Sequence, residues 1–335
     1  MTRTLVELGW DEGWQEAFEQ HKASGVPGRV VSDGRVLRLE AESGSVNARL
    51  TPGHRSLHPG DGTRPVCGDW VVVKQHTGCQ QATVVATLPR RTRLARQALG
   101  GVDREQVIVA NMTSVWIVCG LDRSQSLRSL FRYQALARSD RITCRVLLNK
   151  ADVCPNPEEQ VALARQAAPG LDVLLLSASR AQGLEPLMQL VSERETIALV
   201  GPSGVGKSTV VNQLCHRADQ RTSEVRVKDR RGRHTTSTRC LVRSRASALL
   251  VDTPGLREIG LLQAEEGISR VFSDIVELAA TCRFRDCRHD QEPGCAVKLG
   301  LQRGTICQDR FLRYLELVGE ARSRAPHSGR RRHAD

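Results

Sequence analysis

A phosphate-binding loop constrains this chain more than any other feature of its sequence. The stretch GPSGVGKST, Gly201 to Thr209, fits the pattern G-x-x-x-x-G-K-[ST] and lies between an apolar strand and a helical segment. In that setting the glycines let backbone N–H groups converge on phosphates, Lys207 reaches the β- and γ-phosphates, and the Ser208 hydroxyl ligates Mg²⁺. The stretch therefore predicts a nucleotide-binding α/β domain and leaves the base open.

A second motif indicates the base. The residues NKAD, Asn149 to Asp152, follow an apolar strand and resemble the guanine-reading motif of GTP-binding proteins. The Asp152 carboxylate can accept both N–H groups on the Watson–Crick edge of guanine, whereas adenine presents an acceptor there, a mismatch that discriminates by about 10⁴ in a polar site. Four residues are a weak signal alone, but Ser177-Ala178 ends the next apolar strand and resembles the loop that also contacts guanine. Together they favour GTP and disfavour a P-loop ATPase.

Two further stretches resemble switch motifs. DTPG, Asp252 to Gly255, ends another buried strand and resembles the motif that contacts the metal and the γ-phosphate. GRHTTST lies between the phosphate loop and that strand, where a switch threonine is expected, and we assign Thr236 to Mg²⁺ together with Ser208. All five GTPase motifs are therefore present.

The order of these motifs is unusual. In an ordinary GTPase the phosphate loop comes first, but here NKAD precedes it by some fifty residues. Numbered conventionally, the motifs run fourth, fifth, first, second, third. Their cyclic order is intact and only the cut point has moved, so the sequence predicts a circularly permuted GTPase domain. Its apolar strands alternate with helices, which is typical of a parallel sheet covered on both faces.

The hydrophobic pattern changes along the chain and predicts a multidomain protein. After an amphipathic helical start, the period is two from Gly28 to about Leu88, with about five short strands, as in a Greek-key barrel of the OB type. A generic β-module without a ligand fits that pattern equally well. LPRRTRLARQALGG is interpreted as a basic linker. The predicted divisions are a helical extension (1–27), an OB-type barrel (28–90), the permuted α/β GTPase domain (100–262), a helical zinc-binding domain (263–322) and a basic disordered tail (323–335).

Cysteine spacing suggests a metal site near the C-terminus. Cys282, Cys287, His289 and Cys295 follow C-x₄-C-x-H-x₅-C, and three thiolates with one imidazole suit tetrahedral, structural Zn²⁺. The spacing is not that of a standard zinc finger, so thiols without metal stay an alternative, and Cys307 is a substitute ligand or a buried apolar residue.

Composition bounds the partners and the compartment. The 335 residues carry a net charge of +12, which favours a polyanionic partner, and only 3% are aromatic, which favours contact with phosphates over base stacking. There is no apolar run of membrane-spanning length and no signal-peptide pattern, so we expect a cytoplasmic protein that does not bind membranes.

In combination, these motifs resemble the RsgA/YjeQ family of GTPases that depend on the small ribosomal subunit. The likeness covers about Val26 to Glu320 and rests on REQVIVAN, VLLNKAD, GPSGVGKST, GRHTT, DTPGLRE and CRFRDCRHDQEPGCAV. RSRASA stands where a hairpin glycine is expected. The resemblance implies an OB barrel, a permuted GTPase domain and a zinc domain with one structural Zn²⁺ per chain. It also implies a GTPase, expected to be a monomer, that binds the small subunit and its rRNA during late maturation and is stimulated by that subunit. The alternative is an RNA-binding assembly protein with a vestigial nucleotide site.

Water activation is the least determined part of the predicted site. Leu256 follows DTPG, where many regulated GTPases carry a water-orienting glutamine, and a leucine cannot orient water. His234 in GRHTT resembles a family residue with that role, although it could instead contact RNA or pack. The predicted catalytic residues are His234 and Lys207. The predicted GTP- and GDP-binding residues are Asn149, Lys150, Ala151, Asp152, Ser177, Ala178, Gly201, Pro202, Ser203, Gly204, Val205, Gly206, Lys207, Ser208, Thr209, Asp252 and Gly255.

Overall fold

The computed structural model describes residues 4–34, 36–56, 64–75, 81–97, 105–122, 128–139, 142–215, 239–252 and 265–323. The chain starts with a 3₁₀ turn at Val6–Leu8 and helix α1 at Glu12–Glu19. Asp11 caps α1 by accepting from the backbone N–H of Trp14. Trp10 of this extension stacks edge-on against Trp70, with ring centroids 4.7 Å apart, so the extension is packed onto the region that follows.

Five strands then form a closed barrel. They are β1 (Val26–Ser32), β2 (Leu37–Ala41), β3 (Gly44–Ser56), β4 (Trp70–Gln75) and β5 (Gln81–Thr87). β3 pairs with β5 in parallel, every other neighbouring pair is antiparallel, and β4 returns to β1 and closes the ring. Alternate side chains such as Val30, Leu39 and Val84 fill its interior. The predicted OB-type barrel is confirmed.

The stretch interpreted as a basic linker contains a strand. β6 (Arg93–Gln97) pairs antiparallel with β7 (Glu105–Ala110) in a separate two-stranded sheet. Leu94 is buried against the larger core, so the abundance of arginine in the sequence masked a strand with a buried apolar side chain.

A six-stranded segment of the main sheet carries the predicted nucleotide site, and the sheet continues into the barrel where Cys240 pairs with Ser32 of β1. The strands of this segment are β8 (Ser114–Gly120), β9 (Thr143–Asn149), β10 (Asp172–Leu175), β11 (Thr196–Val200), β12 (Cys240–Arg243) and β13 (Leu249–Asp252). The spatial order is β10-β9-β8-β11-β13-β12, and only the β12–β13 pair is antiparallel. The strand before the phosphate loop, β11, is therefore central, and the strand order reverses between β8 and β11. Open α/β sheets bind their ligands at such a reversal, outside the carboxyl ends of the strands.

The β12–β13 hairpin turns without glycine. Ser247 adopts the left-handed conformation there, with φ of 63°. Ser244 stabilises the turn, because its hydroxyl accepts from the backbone N–H of Ala248 at 3.1 Å. The missing glycine is thus replaced by a strained serine in a hydrogen-bonded turn.

Helices cover both faces of this sheet. α4 (Leu184–Gln189) and α5 (Lys207–Cys215) pack on one face with Trp116 and Val118. α2 (Arg128–Ser139) and α3 (Pro157–Ala167) pack on the other with Val115 and Ile117. The alternation of buried side chains along β8 explains why the strand reads as one continuous apolar run.

The C-terminal helices share the second of these cores. They are α6 (Glu265–Val271), α7 (Ser273–Ala279), α8 (Ala296–Gln302) and α9 (Gln308–Ser323). Phe272 stacks on Phe131 of α2 with ring centroids 5.5 Å apart. Arg310 of α9 pairs with Asp274 and also donates to the carbonyl of Val271. The C-terminal helices are therefore continuous with the α/β core.

The barrel joins the α/β body through a buried arginine. Arg29 of β1 is 1% exposed and donates to Thr196 Oγ1 at 2.9 Å, to the carbonyls of Asn111 (3.2 Å) and Gly68 (3.4 Å), and to the carbonyl of Leu8. Burial lowers its pKa to about 10, so it stays charged near neutral pH. One side chain thereby links the extension, the barrel, the β7 end and β11.

The predicted fold class is confirmed: a barrel, a permuted α/β domain and a C-terminal helical region with a Cys/His cluster. In the ranges that are described, no helix has both the length and the apolar character needed to cross a membrane.

Candidate nucleotide and metal sites

The phosphate loop lies at the carboxyl end of β11 and leads directly into α5. Two of its glycines are required by close contacts. A Cβ on Gly201, where φ is 147°, would lie 2.3 Å from the carbonyl oxygen of Val118. A Cβ on Gly206, where φ is 97°, would lie 2.2 Å from Asn149 Nδ2. The glycines of the loop therefore match its close packing against Val118 of β8 and Asn149 at the end of β9.

Lys207 is directed into the loop that precedes it. It is 8% exposed, and its ammonium group donates to the carbonyl oxygens of Gly201 (2.8 Å) and Pro202 (2.9 Å). Burial lowers the pKa of Lys207, and the Asp252 carboxylate opposes that shift. A cation thus lies inside a ring of backbone groups at the positive end of α5, which is the electrostatic environment that phosphates bind.

Ser208 contacts the predicted switch motif. Its hydroxyl donates to Asp252 Oδ2 at 2.7 Å, across 44 residues of sequence. Asp252 ends β13, which is the parallel neighbour of β11, so adjacent strands bring a hydroxyl and a carboxylate together. These oxygens are the ligand types that Mg²⁺ prefers in phosphate sites.

Asn149 joins the two halves of the site. It is 3% exposed; its Nδ2 donates to the carbonyl of Val205 at 2.8 Å, and its Oδ1 accepts from the backbone N–H of Ala178 at 3.0 Å. A single amide therefore ties the NKAD turn to the phosphate loop and to the Ser177-Ala178 loop. Both polar ends are used, so replacement by an apolar residue would leave buried groups unpaired.

Asp152 is held from the same loop. The Ser177 hydroxyl donates to Asp152 Oδ1 at 2.6 Å and keeps the pKa of that carboxyl below its ordinary value. The Arg180 guanidinium lies 3.5 Å from Oδ2. The carboxylate is therefore charged at neutral pH and oriented from two sides.

Sequence reasoning missed two residues that contact the NKAD motif. Asp122, in the loop after β8, pairs with Lys150 at 2.7 Å. Arg180 contacts Asp152, as described above. The available signal for Asp122 was its position just beyond a buried strand that neighbours the NKAD strand.

The other predicted nucleotide residues follow their motifs. Ala151 donates its backbone N–H to the carbonyl of Leu176, and Val205 is buried in the core beneath the loop. Pro202, Ser203 and Gly204 lie in the loop, and Thr209 is in the first turn of α5. His234, Thr236, Gly255 and Leu256 lie outside the described residues, as does the predicted tail beyond Ser323.

Four predicted metal ligands converge between α7 and α8. The ligand atoms of Cys282, Cys287, His289 and Cys295 all lie within 4.8 Å of one another. Tetrahedral zinc with ordinary bond lengths separates two sulfurs by about 3.8 Å and a sulfur from a nitrogen by about 3.6 Å. The Cys282 and Cys295 sulfurs are 3.9 Å apart, and His289 Nδ1 is 3.6 Å and 3.5 Å from them. The donor set and its spacing fit a closed tetrahedral site.

His289 reaches this cluster by an unusual backbone conformation. Its φ is 62°, in the left-handed region, which is uncommon for a residue with a side chain. That turn lets a histidine only two residues beyond Cys287 face the same point. Cys307 is exposed and lies outside the cluster, so both expectations for it, a substitute ligand and a buried apolar residue, are wrong.

Known proteins resemble this chain over most of its length. A family model described as RsgA GTPase matches residues 87–262. A protein of Methanosarcina acetivorans named small ribosomal subunit biogenesis GTPase RsgA is 37% identical over 313 residues, covering 93% of this chain and 84% of the relative. A protein of the same name from Streptomyces coelicolor is 38% identical over 321 residues, covering 94% and 86%.

Solved structures share the fold. The crystal structure of YjeQ from Thermotoga maritima aligns with a TM-score of 0.63 at 23% identity, covering 88% of this chain and 98% of that one. The structure of YloQ, described as a circularly permuted GTPase, aligns with a TM-score of 0.61 at 22% identity, covering 90% and 96%.

Proposed function

The chain belongs to the RsgA GTPase family, and we propose that it binds the small ribosomal subunit and hydrolyses GTP there during late maturation of the subunit. Family membership makes it a GTP-hydrolysing enzyme of ribosome biogenesis. We further propose that the subunit stimulates hydrolysis and that the protein contacts its rRNA.

The assignment of the site rests on the two hydrogen bonds of the Asn149 amide. Its Nδ2 lies 2.8 Å from the carbonyl oxygen of Val205 in the phosphate loop, and its Oδ1 lies 3.0 Å from the backbone nitrogen of Ala178. Motifs that are far apart in the sequence are thereby brought side by side, and we propose that a nucleoside and its phosphates bind in the crevice between them. Asp152 would accept from guanine at one end, and Lys207 with the N-terminus of α5 would hold the phosphates at the other. Ser208 and Thr236 would hold Mg²⁺, which neutralises developing phosphate charge.

Water positioning is assigned to His234. Leu256 cannot orient the attacking water. The residues that the structure describes around the phosphate loop could bind phosphates, but none of them is assigned as the general base that activates water. We propose that docking on the subunit brings His234 into place, so that hydrolysis waits for the complex. DTPG is followed within the chain by the C-terminal helices, so loss of the γ-phosphate has a short covalent path to a second subunit-binding region.

The Cys/His cluster is proposed to hold one structural Zn²⁺ per chain. The donor set leaves no open position for a substrate, so its role is to fold the loop between α7 and α8. Elemental analysis of protein made in zinc-replete medium should find about one zinc per chain, retained through gel filtration. Cys287→Ala should lose the metal while guanine-nucleotide binding stays, whereas Cys307→Ala should keep both. Wild-type protein without zinc would contradict this assignment.

The basic surface supports contact with rRNA. With a net charge of +12, association with the subunit should weaken as salt rises, because arginine and lysine side chains displace counterions from phosphates. The relatives are named small ribosomal subunit biogenesis GTPase RsgA, which supports the small subunit as the partner.

Turnover with and without purified small subunits tests the proposal. GTP should be hydrolysed slowly by the free protein and faster with subunits, and ATP should be neither bound nor hydrolysed. Equal binding of GTP and ATP would remove the base assignment. Binding to subunits with no GTP turnover under any condition would support the alternative, an assembly protein with a vestigial nucleotide site.

A further inference from the structure

The ion pair between Lys150 and Asp122 lies at the centre of the proposed nucleotide crevice. Lys150 Nζ and Asp122 Oδ2 are 2.7 Å apart, and the two side chains are 28% and 29% exposed. Half-exposed pairs contribute little to folding stability, so stability alone gives a weak reason for holding a lysine here.

The location of the pair indicates another role. A Cβ on Gly120 would lie 2.8 Å from Asp122 Oδ1 and 3.3 Å from the Cα of Val205, so the Asp122 carboxylate lies close to the phosphate loop. Lys150 lies between Asn149 and Asp152 at the base-reading end. The pair therefore spans the stretch between the two ends of the crevice, where the nucleoside would have to run.

The neighbours of Lys150 have other partners. Asn149 is bonded to the phosphate loop and to Ala178, and Asp152 accepts from Ser177. Lys150 itself has a left-handed backbone, with φ of 68°, and lies immediately before the 3₁₀ turn Ala151–Val153. Among the described contacts, the one that fixes its long side chain comes from Asp122.

Resting on the proposed function, we propose that Asp122 is a positioning residue for the nucleoside. It holds the Lys150 side chain in one extended conformation, so that the methylene stem forms a wall of the guanosine pocket. A lysine that is already ordered loses less conformational freedom when the ligand binds. Asp122 pairs with Lys150 and belongs to neither the NKAD motif nor the phosphate loop, so we expect its replacement to weaken GTP binding and GDP binding equally.

Asp122→Asn tests this role, because it keeps the shape and removes the charge. Binding of fluorescent GDP and GTP should weaken about tenfold for both. KM for GTP should rise while kcat at saturating GTP stays, and the preference for GTP over ITP, which Asp152 sets, should not change. Asp172→Asn is the matched control: it breaks a surface pair with Arg145 at the opposite end of β9 and β10 and should bind GDP like the wild type.

A double-mutant cycle separates positioning from a loss of structure. If Asp122 acts through Lys150, Asp122→Asn combined with Lys150→Met should bind GDP no more weakly than Lys150→Met alone. Wild-type affinity in Asp122→Asn, or losses that add in the double variant, would overturn the proposal. Absence of guanine-nucleotide binding by the wild-type protein would instead remove the proposed function itself.

Discussion

The two ends of the proposed nucleotide crevice are built differently. At the base-reading end, Asn149 donates to the loop after β11, and both Asn149 and Asp152 accept from the loop after β10. At the phosphate end, Lys207 donates to the carbonyls of its own loop and Ser208 donates to Asp252. The hydrogen bonds at the base-reading end orient side chains that would contact guanine. Those at the phosphate end join Lys207, Ser208 and Asp252 to groups that phosphate and Mg²⁺ would replace. Selectivity should therefore depend on the first end and turnover on the second.

The largest expected effect is at the base-reading end. Asp152→Asn should weaken GTP binding by up to about 10⁴ and shift preference toward xanthosine nucleotides, whose extra carbonyl accepts from the new amide. Equilibrium binding of GTP, XTP and ATP measures both changes. Restored XTP binding shows that the variant is folded, and a loss of GTP and XTP alike would mean that Asp152 does not read the base.

For His234 we expect a loss of turnover without a loss of GTP affinity. His234→Ala should keep GTP affinity and subunit binding but lose subunit-stimulated turnover by about 10²–10⁴, the range for a positioned acid–base side chain. Stopped-flow binding and turnover separate these quantities. Lys207→Ala is the contrasting variant, because it should damage nucleotide binding itself. Full stimulated activity in His234→Ala would leave water positioning to the ribosome or to the backbone.

A substitution at Gly206 tests the contact between the phosphate loop and Asn149 of the base-reading end. Gly206→Ala would place a Cβ 2.2 Å from Asn149 Nδ2 at a φ of 97°, so we expect destabilisation by about 1–3 kcal/mol together with weaker nucleotide binding. Denaturant unfolding and GDP titration measure the two effects. Gly170→Ala is the matched control in the same domain, since its φ is 78° and nothing lies within 4 Å of the added Cβ. Equal behaviour of the two variants would show that the contact with Asn149 is relaxed at no cost.

The smallest expected effect is at Ser177. Ser177→Ala removes the hydroxyl that donates to Asp152, which should weaken GTP binding about tenfold. Because that hydrogen bond lowers the pKa of Asp152, the variant should have a higher pKa there, and its GTP affinity should be lost at a higher pH as the solution is acidified. Affinity measured against pH checks this direction, and superimposable profiles would contradict it.

Sequence reasoning was strongest where short motifs carry the chemistry. The barrel, the permuted order of the α/β strands and the identity of the Cys/His ligands were predicted from local patterns, and the fold class is confirmed. Reasoning was weakest for contacts between distant segments. β6 was hidden by arginines, and neither Arg29 nor Asp122 belongs to a motif, because their partners are many residues away in the chain.

The sequence by itself determined which groups are available: a phosphate loop, an NKAD motif and a switch carboxylate in permuted order, and a separate set of three cysteines and one histidine. These follow from residue type and spacing within one strand, turn or helix, which local sterics and periodicity control. The tertiary structure alone decided how the groups combine. Asn149 bridges two loops, Asp122 pairs with Lys150, and Arg29 links the barrel to β11. Residues that are far apart in the sequence meet only when the strands, helices and loops that carry them pack together.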